Sequence, residues 1–307
     1  MAVTDLIEEY LLVWVLLAVA VGVAVPRIAV LTRLSIPILA VMIGSISLTL
    51  TIAEFRSVRP RSVVLILLGH VMMPVVAFGV ARLLGLSATL TVGFVILAAV
   101  TPELVTPVMT ELAGGKTALA TVALVLIGFG SVGFTPAAVV ALGGGIEIAT
   151  DRIVEQLAVA VVGPMGVAIG ARTRWPERIG QYEGYYPSIS AVMVVLIIGA
   201  VTAANADVLR AGGWQLLSVG IGAGVVNVTG YAVGWTLARN GSRSDRIATM
   251  LSVGMRDFAV AAALIVAAGL PTVAALPAIV FGIVEMTSSA GLVRYLTTAA
   301  PSVDTDS

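Results

Sequence analysis

Apolar runs of about twenty residues, set apart by short polar clusters, recur from one end of the chain to the other. Ten of them are long enough to cross about 30 Å of hydrocarbon at 1.5 Å per residue: 10–27, 34–53, 62–83, 86–113, 117–143, 153–171, 187–205, 213–237, 245–269 and 271–296. The polar punctuation falls at Arg56 to Arg61, at Gly114-Gly115-Lys116, over the long Arg172 to Pro187 stretch, and at Arg239-Asn240-Gly241-Ser242-Arg243. The pattern predicts an all-α polytopic membrane protein with ten transmembrane helices.

Two runs break the pattern at matching places. The fourth contains Val100-Thr101-Pro102-Glu103-Leu104-Val105-Thr106-Pro107, and the ninth contains Ser252-Val253-Gly254-Met255-Arg256-Asp257. Interrupted hydrophobic segments at corresponding positions point to the midplane binding site of a secondary transporter, because a broken helix exposes backbone dipoles that can hold an ion or solute. Ten spans divide into five and five, each half with its break in the fourth. Five is odd, so the second half enters the membrane from the opposite side, and an inverted repeat of residues 1–147 and 148–307 is predicted.

Composition agrees with a membrane setting: 59% of residues are hydrophobic, 11% are charged and the mean hydropathy is +1.09. The net charge is zero, which gives no footprint for nucleic acid. There is no cysteine and one histidine, so neither a thiolate nor a His-rich metal site is expected, and no cofactor. The expected partners are a small-molecule solute and membrane lipid. The first run follows the acidic Asp5, Glu8 and Glu9 rather than a basic segment, and it reads as a retained helix.

Lys and Arg set the orientation. On the side shared by the termini are Arg56, Arg59, Arg61, Lys116, Arg172, Arg174, Arg178, Arg239, Arg243, Arg246 and Arg294, and the other side has Arg27, Arg33, Arg82, Arg152 and Arg210. Eleven against five puts both termini in the cytoplasm of a multi-pass protein of the cell membrane.

His70, Glu103, Arg256, Asp257 and Glu285 fall near mid-span. An ionised group at the bilayer centre costs about 2.5–3.5 kcal/mol on insertion scales, so each is expected to be paired, hydrated or neutralised. If the two breaks cross, Glu103 approaches Arg256 and Asp257, either as a lock between half-helices or as transport machinery. Two acids and one guanidinium leave a negative excess, and like charges oppose joint ionisation. That is a physical route to proton coupling. Thr101, Glu103, Thr106, Ser252, Arg256 and Asp257 are the candidate substrate- or ion-binding residues. Asp257 is also a good N-cap for the second half-helix. His70 and Glu285 are candidate proton relays, or else a core histidine and a carboxyl paired with Asn227 or a backbone group. The small-residue rows Gly220-x-Gly222-x-Gly224 and Gly128-x-Gly130 read as helix packing.

Several stretches resemble the bile acid:sodium symporter family: Met73-Pro74, Val108-Met109-Thr110-Glu111-Leu112-Ala113, Gly254-Met255, and Leu48-Thr49-Leu50-Thr51 followed by Glu54 and Phe55. The resemblance implies ten helices in a panel domain (spans 1, 2, 6 and 7) and a core domain (spans 3, 4, 5, 8, 9 and 10), with spans four and nine crossing at their unwound centres. It also implies an organic anion as solute, for which Arg256 is a candidate counter-ion. The departures bear on coupling. Thr106-Pro107 stands for the family's Ser-Asn, Ala120 and Leu124 stand for its Ser and Thr, and Ser252 and Arg256 stand for its Glu and Gln. The span-three Gln corresponds to Gly69. Sodium needs several oxygen ligands at once, so sodium coupling is not expected, and proton coupling or uniport is. The cysteine of the related arsenite exporters is also missing.

A secondary active transporter thus accounts for the paired breaks, the two halves and the mid-span charges together. An ion channel needs no such two-half symmetry. An intramembrane enzyme needs a catalytic constellation, and no HExxH, Ser–His pairing or paired-aspartate motif is found.

Overall fold

The computed structural model describes residues 10–51, 57–143 and 149–298. Glu54, Phe55, Arg56, the repeat boundary at 147–148 and the acidic residues before Tyr10 lie outside them. Every element among the described residues is helical. Eight segments are long and apolar enough to span a membrane, with Leu11–Ala24 and Ala88–Ala99 as shorter apolar helices.

The first helix, α1 (Leu11–Ala24), covers about 21 Å at 1.5 Å per residue, less than a bilayer core. It runs into a 3-10 segment, Pro26–Leu34, which continues as α2 (Ser35–Ser47). The second span therefore begins at Pro26 rather than near residue 34. Next come α3 (Pro60–Leu83), α4 (Ala88–Ala99), α5 (Thr106–Leu112) and α6 (Thr117–Leu142). Helix α7 spans Thr150–Arg174 through a π-helical turn at Ala158–Val162, and α8 is Tyr186–Ala204. Between them the predicted loop is partly helical, and Arg172 is paired with Glu183 at 2.7 Å. The last elements are α9 (Trp214–Leu237), α10 (Arg243–Gly254), α11 (Phe258–Ala267) and α12 (Leu276–Thr298).

Both interrupted runs are indeed broken. In the fourth, α4 ends at Val100 with extended backbone, and α5 resumes at Thr106. Pro102 accounts for this, since it removes a donor and pushes Thr101 out of the helical region, while Pro107 sits where the first turn of α5 needs no donor. In the ninth, no proline intervenes. Helix α10 stops at Gly254, Met255 is extended (ψ 136°), and Asp257 restarts the chain as N-cap of α11, its Oδ1 accepting from Val260 N at 2.8 Å. Pro74 and Pro136, in contrast, sit inside α3 and α6 without ending them, as neighbouring helices permit in a membrane.

Helices α1 and α2 both pack on α8, and α7 packs against α2. Helices α9 and α10 make the closest pair of the other group, held by glycine. A Cβ on Gly230 would lie 2.7 Å from the Gly254 Cα, and one on Gly234 would lie 2.5 Å from the Thr249 carbonyl. Of the two small-residue rows, only one member of each is closely packed, and Gly220 is in ordinary contact with Val280. Gly222 faces Phe94 and Gly128 faces Met165, but Gly224 and Gly130 have open space beside them. At the turn between α5 and α6, Gly114 takes φ +73°, a conformation that favours glycine.

Candidate functional site

The two breaks meet. Asp257 N donates to the carbonyl of Thr101 at 3.0 Å, a main-chain bond between the unwound segments. Thr106 Oγ1 points at Met255 Sδ, 3.9 Å away, from the other side of the junction. Thr101, Thr106, Ser252, Arg256, Asp257 and Glu285 are fully buried, and Glu103 and His70 are 5% and 3% exposed. The structure thus brings all eight predicted site residues into the buried interior around one crossing.

Their partners differ from those expected in one important respect. No ion pair joins Glu103 to Arg256; the salt bridges among the described residues are Arg172–Glu183 and Arg210–Asp207. The Arg256 guanidinium instead contacts His70 Nδ1 and donates from Nη2 to the Val253 carbonyl at 2.9 Å. The reason is directional. The crossing is made by backbone, Asp257 to Thr101, and this turns the Arg256 side chain back along α10 toward α3. The Glu103 carboxyl lies near the main-chain amides of Leu104 and Phe258, and its charged neighbours are Asp257 and Glu285. Glu285, expected to pair with Asn227 or a backbone group, does the latter: it accepts from Arg256 N at 2.7 Å and so supports the unwound backbone directly.

Asn227 does different work. Its Nδ2 donates to the Gly254 carbonyl at 3.2 Å, one of the orphan acceptors at the end of α10, while its Oδ1 accepts from Ser288 Oγ at 2.7 Å. Tyr231, one turn on, places its hydroxyl 3.4 Å from Ser288 and its ring against Gly254. On the first break, Thr135 Oγ1 donates to the Ala99 carbonyl at 3.0 Å. Tyr231 and Thr135 were not singled out from the sequence. A lone amide in an apolar span, with a tyrosine four residues later on the same face, was the available signal.

Several buried polar atoms here have no hydrogen-bond partner: Thr101 Oγ1, Glu103 Oε2, Ser252 Oγ, Asp257 Oδ2 and Glu285 Oε1 on the acceptor side, and Arg256 Nε and His70 Nε2 among nitrogens. Unsatisfied buried groups cost free energy, so a cluster of them at one junction makes this the candidate site. Among the described residues no group of His, Asp and Glu has the arrangement of a metal site.

Comparison with known proteins points the same way. The profile of the family described as "Sodium Bile acid symporter family" matches residues 36–211, more than half of the chain and including the first break. The chain is 24% identical over 290 residues to "Uncharacterized sodium-dependent transporter YocS" of Bacillus subtilis (strain 168), an alignment covering 92% of this chain and 89% of the relative. It is 25% identical over 274 residues to "Probable sodium/metabolite cotransporter BASS2, chloroplastic" of Oryza sativa subsp. japonica, covering 84% of this chain and 62% of that protein.

Proposed function

Because the chain belongs to the sodium bile acid symporter family, a family of transporters and not of enzymes, we propose that it is a secondary active transporter moving a small organic anion by alternating access at the crossing of the two breaks. The observation that carries this is the Asp257–Thr101 main-chain bond inside a shell of buried ionisable side chains. Ten spans in an inverted five-and-five arrangement form two bodies: a panel of α1, α2, α7 and α8, and a core of the remaining helices. The packing of α1 and α2 on α8, with α7 on α2, supports this division. The family description supports the organic-anion class. Counterflow and saturation in proteoliposomes test the carrier mechanism; flux that rises linearly with solute and shows no counterflow overturns it.

The coupling ion is a proton. The relatives' names carry sodium, but Pro107, Ala120, Leu124 and Arg256 stand here where the family has oxygen-bearing side chains for it. A proton needs one carboxyl oxygen rather than a full shell of ligands, and Glu103, Asp257 and Glu285 each hold an unpartnered one. Replacing sodium by choline at constant pH should leave the uptake rate within about twofold. A strict sodium requirement would show that Thr101, Glu103, Ser252 and Asp257 assemble a metal site after all.

Both termini are cytoplasmic in this reading. Asp207, whose side chain is 99% exposed in the short helix Ala206–Ala211 that follows α8, is the outside reporter, and the exposed Asn240 is the inside one. With no native thiol to interfere, Asp207→Cys should react with an impermeant maleimide on intact cells, and Asn240→Cys should react only after permeabilisation. The reverse pattern inverts the topology.

A further inference from the structure

His70 is the single histidine of the chain, and it is buried in α3 with its ring fixed from several directions. Phe134 of α6 packs against it, the ring centroids 5.1 Å apart. The carbonyl of Ala99, at the end of α4, is turned toward the ring, although Nε2 makes no hydrogen bond of good geometry. Arg256 Nη1 contacts Nδ1. A guanidinium carries only donors, so Nδ1 has to be the acceptor in this contact. The imidazole is then neutral, with its proton on Nε2. A proton on Nδ1 and the Arg256 contact exclude one another, because both would set donor against donor.

We infer that His70 is a proton-operated latch on the break of the ninth span: the neutral ring holds the Arg256 guanidinium, and a proton taken up at Nδ1 releases it. The step is balanced by one proton from solvent. An N–H bond forms at Nδ1, the Nη1–H to Nδ1 hydrogen bond breaks, and no other covalent bond changes. The freed donor has a destination in the same cluster, the unpartnered Glu285 Oε1, whose sister oxygen already accepts from Arg256 N. His70 therefore ties α3 to the unwound backbone of the ninth span, and through Phe134 and Ala99 to α6 and the first break. It is a positioning residue rather than a solute ligand.

The surroundings leave Arg256 as the charged group that sets this contact. Helices α4 and α6, which pack on α3, bring no ionisable side chain. Helix α9 brings Tyr231, whose hydroxyl is turned to Ser288, and α10 carries Arg243, Asp245 and Arg246 at its far end. Glu103 and Asp257 at the crossing, and Glu285 on α12, are near one another, but none is ion-paired with His70 among the described residues.

The latch depends on the contact alone; its use in transport rests on the proton-coupled reading above, and the two are tested separately. Protein labelled with 15N-histidine and purified without a polyhistidine tag gives a single imidazole signal pair. At about pH 8, above the ordinary imidazole range, that pair should show a proton on Nε2 and none on Nδ1. On acidification the ring should become an imidazolium, and the methyl resonance of Met255, assigned by its loss in Met255→Leu, should shift with the same midpoint. A neutral ring protonated at Nδ1 overturns the latch. So does an imidazolium that forms without moving Met255, or a ring that stays neutral down to about pH 4. In Arg256→Leu the ring should titrate with Met255 unmoved; should that variant not fold, the wild-type tautomer decides by itself. If the latch is present and liposome uptake ignores an imposed pH gradient, the coupling reading fails and the latch stands.

Discussion

Arg256→Gln is expected to abolish uptake and to lower the thermal stability of the purified protein by more than any other single change at the crossing. The guanidinium is fully buried among three buried acids, Glu103, Asp257 and Glu285, and removing the cationic member of such a group typically costs about 3–5 kcal/mol. The compensating partner distinguishes the observed geometry from the one the sequence suggested. Glu285 touches the Arg256 main chain and is the acid whose field acts on it, whereas Glu103 is directed at other groups. Arg256→Gln with Glu285→Gln should therefore recover stability, with a coupling energy in the range of about 0.5–3 kcal/mol for interacting residues. Arg256→Gln with Glu103→Gln should recover markedly less. Melting curves of the three single and two double variants decide this; greater rescue by Glu103→Gln would restore the pairing that the structure does not contain.

Gly254→Ala should be nearly as damaging, for a steric reason. A Cβ at Gly254 would lie 2.1 Å from Tyr231 Cδ1 and 2.5 Å from Cε1, and Gly230 comes against the same backbone from the α9 side. Tyr231 cannot easily yield, because its hydroxyl is tied to Ser288 and its ring fills the space at the end of α10. Overpacking of this kind costs about 1–3 kcal/mol or more. It would also displace the Gly254 carbonyl from Asn227, so a loss of uptake larger than the loss of folded protein is expected. Gly130→Ala is the control: nothing stands within 4 Å of its added Cβ, and alanine is the better helix former by about 0.8–1.0 kcal/mol. Equal melting temperatures for Gly254→Ala and Gly130→Ala would show that the α9–α10 approach is looser than described.

The two breaks were not equally legible. The first is marked in the chain by Pro102, with Pro107 in the first turn of the helix that follows, although Pro74 and Pro136 stay inside unbroken helices. The second contains no proline, and only Gly254 and the capping Asp257 mark it. The mid-span charges were visible because hydrocarbon tolerates so few of them. Their partners were not, because side-chain direction depends on how helices rotate about one another, and neither periodicity nor spacing carries that rotation. Hence Glu103 looked like the natural mate of Arg256, and His70, 186 positions away along the chain, takes its place.

What the sequence determined by itself is what local chemistry enforces. The lengths of the apolar runs, the proline break and the placement of ionisable groups within the runs all follow from one-dimensional constraints that any folded form must meet. The tertiary structure decided the rest. It set the start of the second span at Pro26, where a 3-10 segment carries the chain from α1 into α2. It selected Gly222 and Gly128, and not their neighbours in the same rows, as close-packing positions. Above all it joined the breaks through main-chain atoms, Asp257 N to Thr101 O. Every residue carries those atoms, so no residue type could announce the bond, and once it forms it dictates which way Arg256, Glu285 and Glu103 must face.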